Sequence, residues 1–176
     1  MIFLKVGVPA LRKVDVQRWR REVTDLLEDF PRQQRALENA MAQFGDDFNL
    51  GQFKIAYESQ SDMDAYNRAQ SLERAVSRAQ NFMADLAMAG SKLAQLKPSR
   101  AAPSGEAATA FESLRAGGAI SGELCAKLMR AQKARTRIEH LYPGVTAGEI
   151  HRAAILVQQA SIEYIQRYSN WIVAYL

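Results

Sequence analysis

Residues 65–93 read AYNRAQSLERAVSRAQNFMADLAMAGSKL, and this stretch decides the fold. Ala65, Ala69, Leu72, Val76, Ala79, Met83, Leu86, Gly90 and Leu93 recur at alternating spacings of four and three without a miss. That rhythm lays them along one side of a helix packed over most of its length against others. Several of the nine are small, so a neighbouring helix can approach closely.

Working towards the amino terminus, Leu50 to Tyr57 reads as a helix with weak periodicity, and Gly45-Asp-Asp-Phe-Asn49 as a turn with capping residues. From Val14 to Phe30, Val16, Trp19, Val23, Leu26 and Leu27 share one side of a helix. Pro31 is expected to break or restart that helix, which then continues through Leu37 and Met41 to Phe44. Ile2 to Val8 is either a short strand or an extended arm over residues 1–12, with Pro9 ending the apolar run.

Towards the carboxyl terminus, Lys97-Pro-Ser-Arg-Ala-Ala-Pro-Ser-Gly105 is a loop of turn formers. A short helix from Glu106 to Arg115 carries Phe111 and Leu114 and stops at Gly117-Gly118. Ser121 is the expected N-cap of the next helix, with Glu123 in its first turn. Thr146-Ala-Gly-Glu149 has the form of a capping box. The final helix carries Ile150, Ala154, Val157, Ser161, Tyr164, Tyr168, Trp171 and Tyr175 on one stripe, widened by Ile155, Ile162, Ile165 and Ile172. So wide a face exceeds what one neighbour needs and leaves area for a second copy. The fold class is all-α: one domain over 1–176, an antiparallel bundle of four or five main helices.

The composition bounds the rest. At 176 residues the chain buries a real core. Hydrophobic residues at 48% and charged residues at 24% are ordinary for a soluble protein. A net charge of +4 is compatible with a polyanionic partner without requiring one. The lone Cys125 excludes an intrachain disulfide and a multi-cysteine metal site; its place in a helical pattern assigns it to the core. No run is long enough to span a membrane, and the opening lacks the basic start of a signal peptide, so a cytoplasmic location is expected.

One place breaks the pattern. The helix from Ser121 puts Leu124, Leu128 and Ala131 on its buried stripe; the next positions of that rhythm are Arg135, Ile138 and Tyr142. A guanidinium therefore stands where an apolar side chain is called for, and a buried Arg needs a partner. Such a conflict between pattern and chemistry marks a candidate functional site. Pro143 ends the helix around His140–Tyr142, so His140 lies in its last turn, at the negative end of the helix dipole.

Arg135, His140 and Tyr142 fit an R-x4-H-x-Y pattern, and here the chain resembles the HepT-type toxins of the HEPN superfamily. The order of features from Ala65 to Leu176 is similar too: long helix, Pro-containing loop, short helix with Phe111 and Leu114, motif helix, long final helix. Residues 10–60 match loosely. Thr136 departs from the Asn common after the motif Arg; it keeps a hydroxyl without the amide. The resemblance implies a metal-independent endoribonuclease without a cofactor, the toxin of a prokaryotic toxin–antitoxin pair. It also implies a homodimer with its site in the dimer cleft, an RNA substrate, and a minimal nucleotidyltransferase as antitoxin that adenylylates Tyr142. The same residues serve an alternative: a non-catalytic HEPN subunit binding a nucleotidyltransferase or a nucleotide. A helical scaffold with a fortuitous motif is a third.

The residue types suit RNA cleavage. A histidine can move the proton of the attacking 2′-hydroxyl or the leaving 5′-oxygen. An arginine fork can neutralise charge on the phosphate. Five residues turn about 140° round a helix, so Arg135 and His140 share a face only if the helix end is distorted or two motif helices meet. Structural readings compete for each group. Arg135 can pair with a carboxylate such as Asp85, and His140 can cap free carbonyls. His151 reads as turn packing, and the tyrosines with Trp171 as core or interface rather than base-stacking surface. Arg12, Lys13, Arg18, Arg20 and Arg21 form a basic cluster, but Asp15, Glu22, Asp25 and Glu28 intersperse it, as on a solvated helix.

Overall fold

The computed structural model describes residues 13–45, 47–98, 105–140 and 144–176. Six α-helices follow one another: α1 (Lys13–Ala42), α2 (Leu50–Tyr57), α3 (Met63–Leu93), α4 (Glu106–Ala116), α5 (Gly122–His140) and α6 (Ala147–Ile172). A 3-10 turn, Val173–Tyr175, closes the chain. No strand occurs among the described residues; the expected amino-terminal strand or arm lies outside them. Six helices stand against the four or five main ones expected. Four are long, while α2 has 8 residues and α4 has 11.

All nine positions of the α3 stripe are buried, and α3 touches each of the other five helices. Pairings along its length give the directions. Trp19 meets Lys92 and Phe30 meets Phe82, so α1 runs opposite to α3. Lys127 pairs with Glu163 at 2.7 Å and Arg137 with Glu149 at 2.9 Å, so α5 runs opposite to α6. Arg20 reaches the Tyr175 carbonyl, while Phe48, past the other end of α1, stacks on His151. The long helices α1, α3, α5 and α6 thus alternate in direction around a common core.

The expected break at Pro31 does not occur. Proline removes one intrahelical hydrogen bond and crowds the preceding turn. Here Phe30 and Leu37 on either side are buried, with Val23 and Met41 continuing the stripe. That burial holds α1 continuous from Lys13 to Ala42.

The other boundaries follow their capping residues. Asn49 Oδ1 accepts from Gln52 N, Asp62 Oδ1 from Ala65 N, and Ser121 Oγ from Leu124 N. Thr146 and Glu149 form the full capping box of α6. Gly118 follows α4 with φ +76°, a conformation other residues adopt at a cost. The wide face of α6 is largely used within the chain, because α6 packs on α1, α2, α3 and α5. Tyr164 and Tyr168 are fully buried, and of the widening isoleucines Ile162 stays exposed. The reserve of apolar area expected there for a second copy is therefore small.

Candidate functional site at the end of α5

Helix α5 presents three different surfaces, and Arg135 and His140 lie on two of them. Leu124, Leu128, Ala131 and Ile138 are buried in the core. Gln132 faces α3, where Gln80 Nε2 donates to Gln132 Oε1 at 3.1 Å and approaches the Leu128 carbonyl at 3.5 Å, and helical spacing puts Arg135 and Glu139 on that same side of α5. Glu73, seven residues before Gln80 on the same face of α3, is buried as well. Because the helices are antiparallel, Glu73 is about level with Glu139. A polar seam therefore runs between α3 and the last turns of α5.

Arg135 stands in that seam with its side chain 21% exposed. Its partner is Glu139, one turn further on: Arg135 Nη2 lies 2.5 Å from Glu139 Oε2. Arg135 Nε is buried and has no hydrogen-bond partner among the described residues. Arg135 thus has a carboxylate partner as expected, but a different one. Asp85 is not the partner of Arg135; it is exposed on α3, and desolvation followed by the charge of Glu22 raises its pKa.

His140 is exposed on the opposite side of α5, with the helix unbroken up to it. No hydrogen bond or ion pair joins it to Arg135 among the described residues. It lines up instead with Arg130, Lys133 and Arg137, all exposed and all within an arc of about 80°. Arg137 bridges to Glu149 at the start of α6, over a cavity of about 210 Å³ that Arg152 also borders. Hydrogen bonds from the Thr146 backbone and hydroxyl lower the Glu149 pKa, helped by Arg137 and Arg152. Thr136 is exposed, and its hydroxyl is spent on its own helix, donating to the Gln132 carbonyl at 3.0 Å. Tyr142 lies outside the described residues.

The remaining candidates take structural places. His151 Nε2 donates to the Phe48 carbonyl at 2.7 Å and its ring stacks on Phe48, which ties α6 to the turn after α1. Cys125 is buried beside Glu112, with its thiol pKa pushed up to about 12 by burial and then by that carboxylate. Tyr168 donates to the Leu86 carbonyl, and Tyr164 is enclosed with no partner for its hydroxyl among the described residues, so neither offers a face for stacking. In the basic cluster Arg20 is bound to the Tyr175 carbonyl and Arg18 lies over Trp19; Arg12 falls outside the described residues. A cavity of about 690 Å³ beside Trp19, Met88 and Leu96 sits at the far end of α3 from the motif.

No group of three His, Cys, Asp or Glu side chains among the described residues is placed to hold a metal ion. No helix among them is long and apolar enough to cross a membrane. Two features escaped the sequence reading: the Arg135–Glu139 pair and the Arg130–Lys133–Arg137–His140 stripe. Both are written in the spacing, the first at i,i+4 and the second at i,i+3,i+7,i+10. Comparison with known proteins finds no match among family models, curated proteins or solved structures.

Proposed function

We propose that the chain is a HepT-like HEPN ribonuclease, the toxin of a prokaryotic toxin–antitoxin pair, in which His140 moves the proton and Arg135 steadies the phosphate. The supporting observation is the state of Arg135: an arginine on an otherwise apolar stripe, mostly enclosed, with one buried donor unmet. Enclosing a half-satisfied guanidinium costs stability that a well-packed Leu would not. Function accounts for that cost better than folding does. The exposed basic row ending at His140 adds a surface on which an RNA backbone can lie.

In the reaction, the 2′-oxygen attacks phosphorus, its proton passes to the base, and the bond to the 5′-oxygen breaks as that oxygen gains a proton. His140 is the titratable group for one of these transfers. Arg135 offsets charge on the non-bridging oxygens. Because the two side chains diverge on one helix, the productive pair is proposed to form between chains of a homodimer. A minimal nucleotidyltransferase is the proposed antitoxin, adding AMP to Tyr142, where a bulky anion two residues from His140 repels RNA phosphate.

Purified protein incubated with total RNA in EDTA tests this reading. Cleavage should persist in chelator, and Arg135→Ala and His140→Ala should each slow it about 100-fold or more. Wild-type rates in both variants would overturn it. Incubation with ATP and the cognate nucleotidyltransferase should add one AMP to the peptide holding Tyr142; an unchanged peptide mass would remove that control step.

The divergence of Arg135 and His140 equally favours a second reading, a HEPN subunit that binds a nucleotidyltransferase or nucleotide and cleaves nothing. Binding of that partner with no RNA cleavage, by the wild-type protein, would select it.

A further inference from the structure

The guanidinium of Arg135 is paired on one side only. Glu139 takes Nη2 through a single carboxylate oxygen, while Nε has no hydrogen-bond partner among the described residues. Nε and Nη2 form one edge of the guanidinium, the edge whose two parallel N–H groups match two oxygens of a carboxylate or a phosphate. Half of this edge is therefore filled by Glu139 and half is empty.

We propose that Glu139 is a built-in competitor for a phosphodiester at Arg135, released when two phosphate oxygens take the Nε–Nη2 edge together. This inference rests on the ribonuclease reading for the identity of the anion, but the lock itself is a property of the pair. Before RNA binds, the carboxylate neutralises the arginine and holds it mostly enclosed. The exchange replaces one hydrogen bond with two and meets the buried donor. No covalent bond changes. The guanidinium has to turn outward as Glu139 lets go, so the phosphate reaches it from the solvent side of the seam. Glu139 acts through Arg135 and is a positioning residue; it touches neither the proposed proton path nor His140, whose side chain leaves the helix about 100° further round.

The first test reads the lock directly. Phenylglyoxal, which reacts with accessible guanidinium groups, is added to the wild-type protein, Glu139→Gln and Glu139→Ala, and modification of the Arg135 peptide is followed by mass. Labelling should run about two- to fivefold faster in both variants, the change expected on losing a partly exposed ion pair. Equal rates in variants that keep the wild-type circular dichroism spectrum would overturn the proposal.

The second test uses a 2′-O-methyl RNA oligonucleotide, which cannot be cleaved. Both variants should bind it about two- to fivefold more tightly than wild type. Adding the oligonucleotide should protect Arg135 from phenylglyoxal in the wild-type protein. Faster labelling in the variants, with no RNA binding or cleavage by any form, would leave the lock standing and remove the ribonuclease reading. RNA cleavage lost in Arg135→Ala, with labelling and binding unmoved in the Glu139 variants, would do the reverse.

Discussion

Arg135 and His140 leave one unbroken helix about 140° apart, the first mostly enclosed and the second exposed to solvent. In the roles proposed for them, proton carrier and charge stabiliser, two side chains so arranged cannot close on one phosphate from the same face of a single α5. The proposed dimer resolves this if the arginine of one copy works with the histidine of the other, as an isologous contact permits.

Mixing variants tests that pairing. Arg135→Ala and His140→Ala chains carrying different tags are co-expressed and the mixed dimer is isolated through both. It keeps one arginine and one histidine, on different chains. It should regain part of the activity that each pure variant lacks. A mixed dimer as inactive as its parents would place the pair within one chain or require all four side chains.

Gly90 sets two ordinary rules against each other. Alanine is a better helix former than glycine by about 1 kcal/mol, so Gly90→Ala would stabilise a free helix. In the bundle, a Cβ there would come within 2.9 Å of ring carbons of Tyr168 and closer still to its hydroxyl. Overpacking of this kind costs about 1–3 kcal/mol and should win. Gly90→Ala should lower the denaturant midpoint, and Tyr168→Phe should recover part of the loss when combined with it. A stabilised Gly90→Ala protein would show that α6 shifts away without cost.

Cys125 should be inert while the protein is folded. With a thiol pKa near 12, about one molecule in ten thousand carries the thiolate at pH 8. Iodoacetamide should leave the native mass unchanged over hours and add one carbamidomethyl group in denaturant. Equal labelling rates in both conditions would contradict the burial of the thiol.

The start of α6 should show its capping box in a titration. Thr146 holds the Glu149 carboxylate below the ordinary range, so the ion pairs and cap it serves are complete above the unfolded pKa and are lost as pH falls through the lower, folded one. Carboxyl carbon shifts should report that lowered pKa. Thr146→Ala should move it back towards the ordinary value of about 4.3 and lower the melting temperature. A Glu149 titration that ignores the substitution would assign the shift to the backbone N–H of residue 146, which alanine keeps, and to Arg137 and Arg152.

Much of the architecture was legible in the sequence because periodicity and caps report backbone needs directly. The α3 stripe, Asn49, Ser121 and the Thr146–Glu149 box all stand where spacing put them. Pro31 misled because a local rule about one hydrogen bond ignores the apolar burial on both sides of it. The width of α6 misled because the number of neighbours of a helix is a tertiary fact; four helices share a face that seemed spare. At the candidate site, the enclosed position of Arg135 was legible as a broken stripe. Its partner was not, since Glu139 and Asp85 are both chemically suitable and only distance selects between them.

Helix α6 is synthesised after every helix it touches, and its far end meets α1 through Arg20 and Tyr175, 155 residues apart. The bundle therefore cannot close before α6 has been made. Until α6 is released, Arg137 has no Glu149, Phe48 has no His151, and the α3 face beside Gly90 has no Tyr168. Closure waits on contacts as far apart in sequence as Arg20 and Tyr175, which slows folding and keeps a copy that lacks α6 from presenting a completed α5 end. For a protein proposed to attack RNA, activity would then begin only after translation of that same copy has delivered α6.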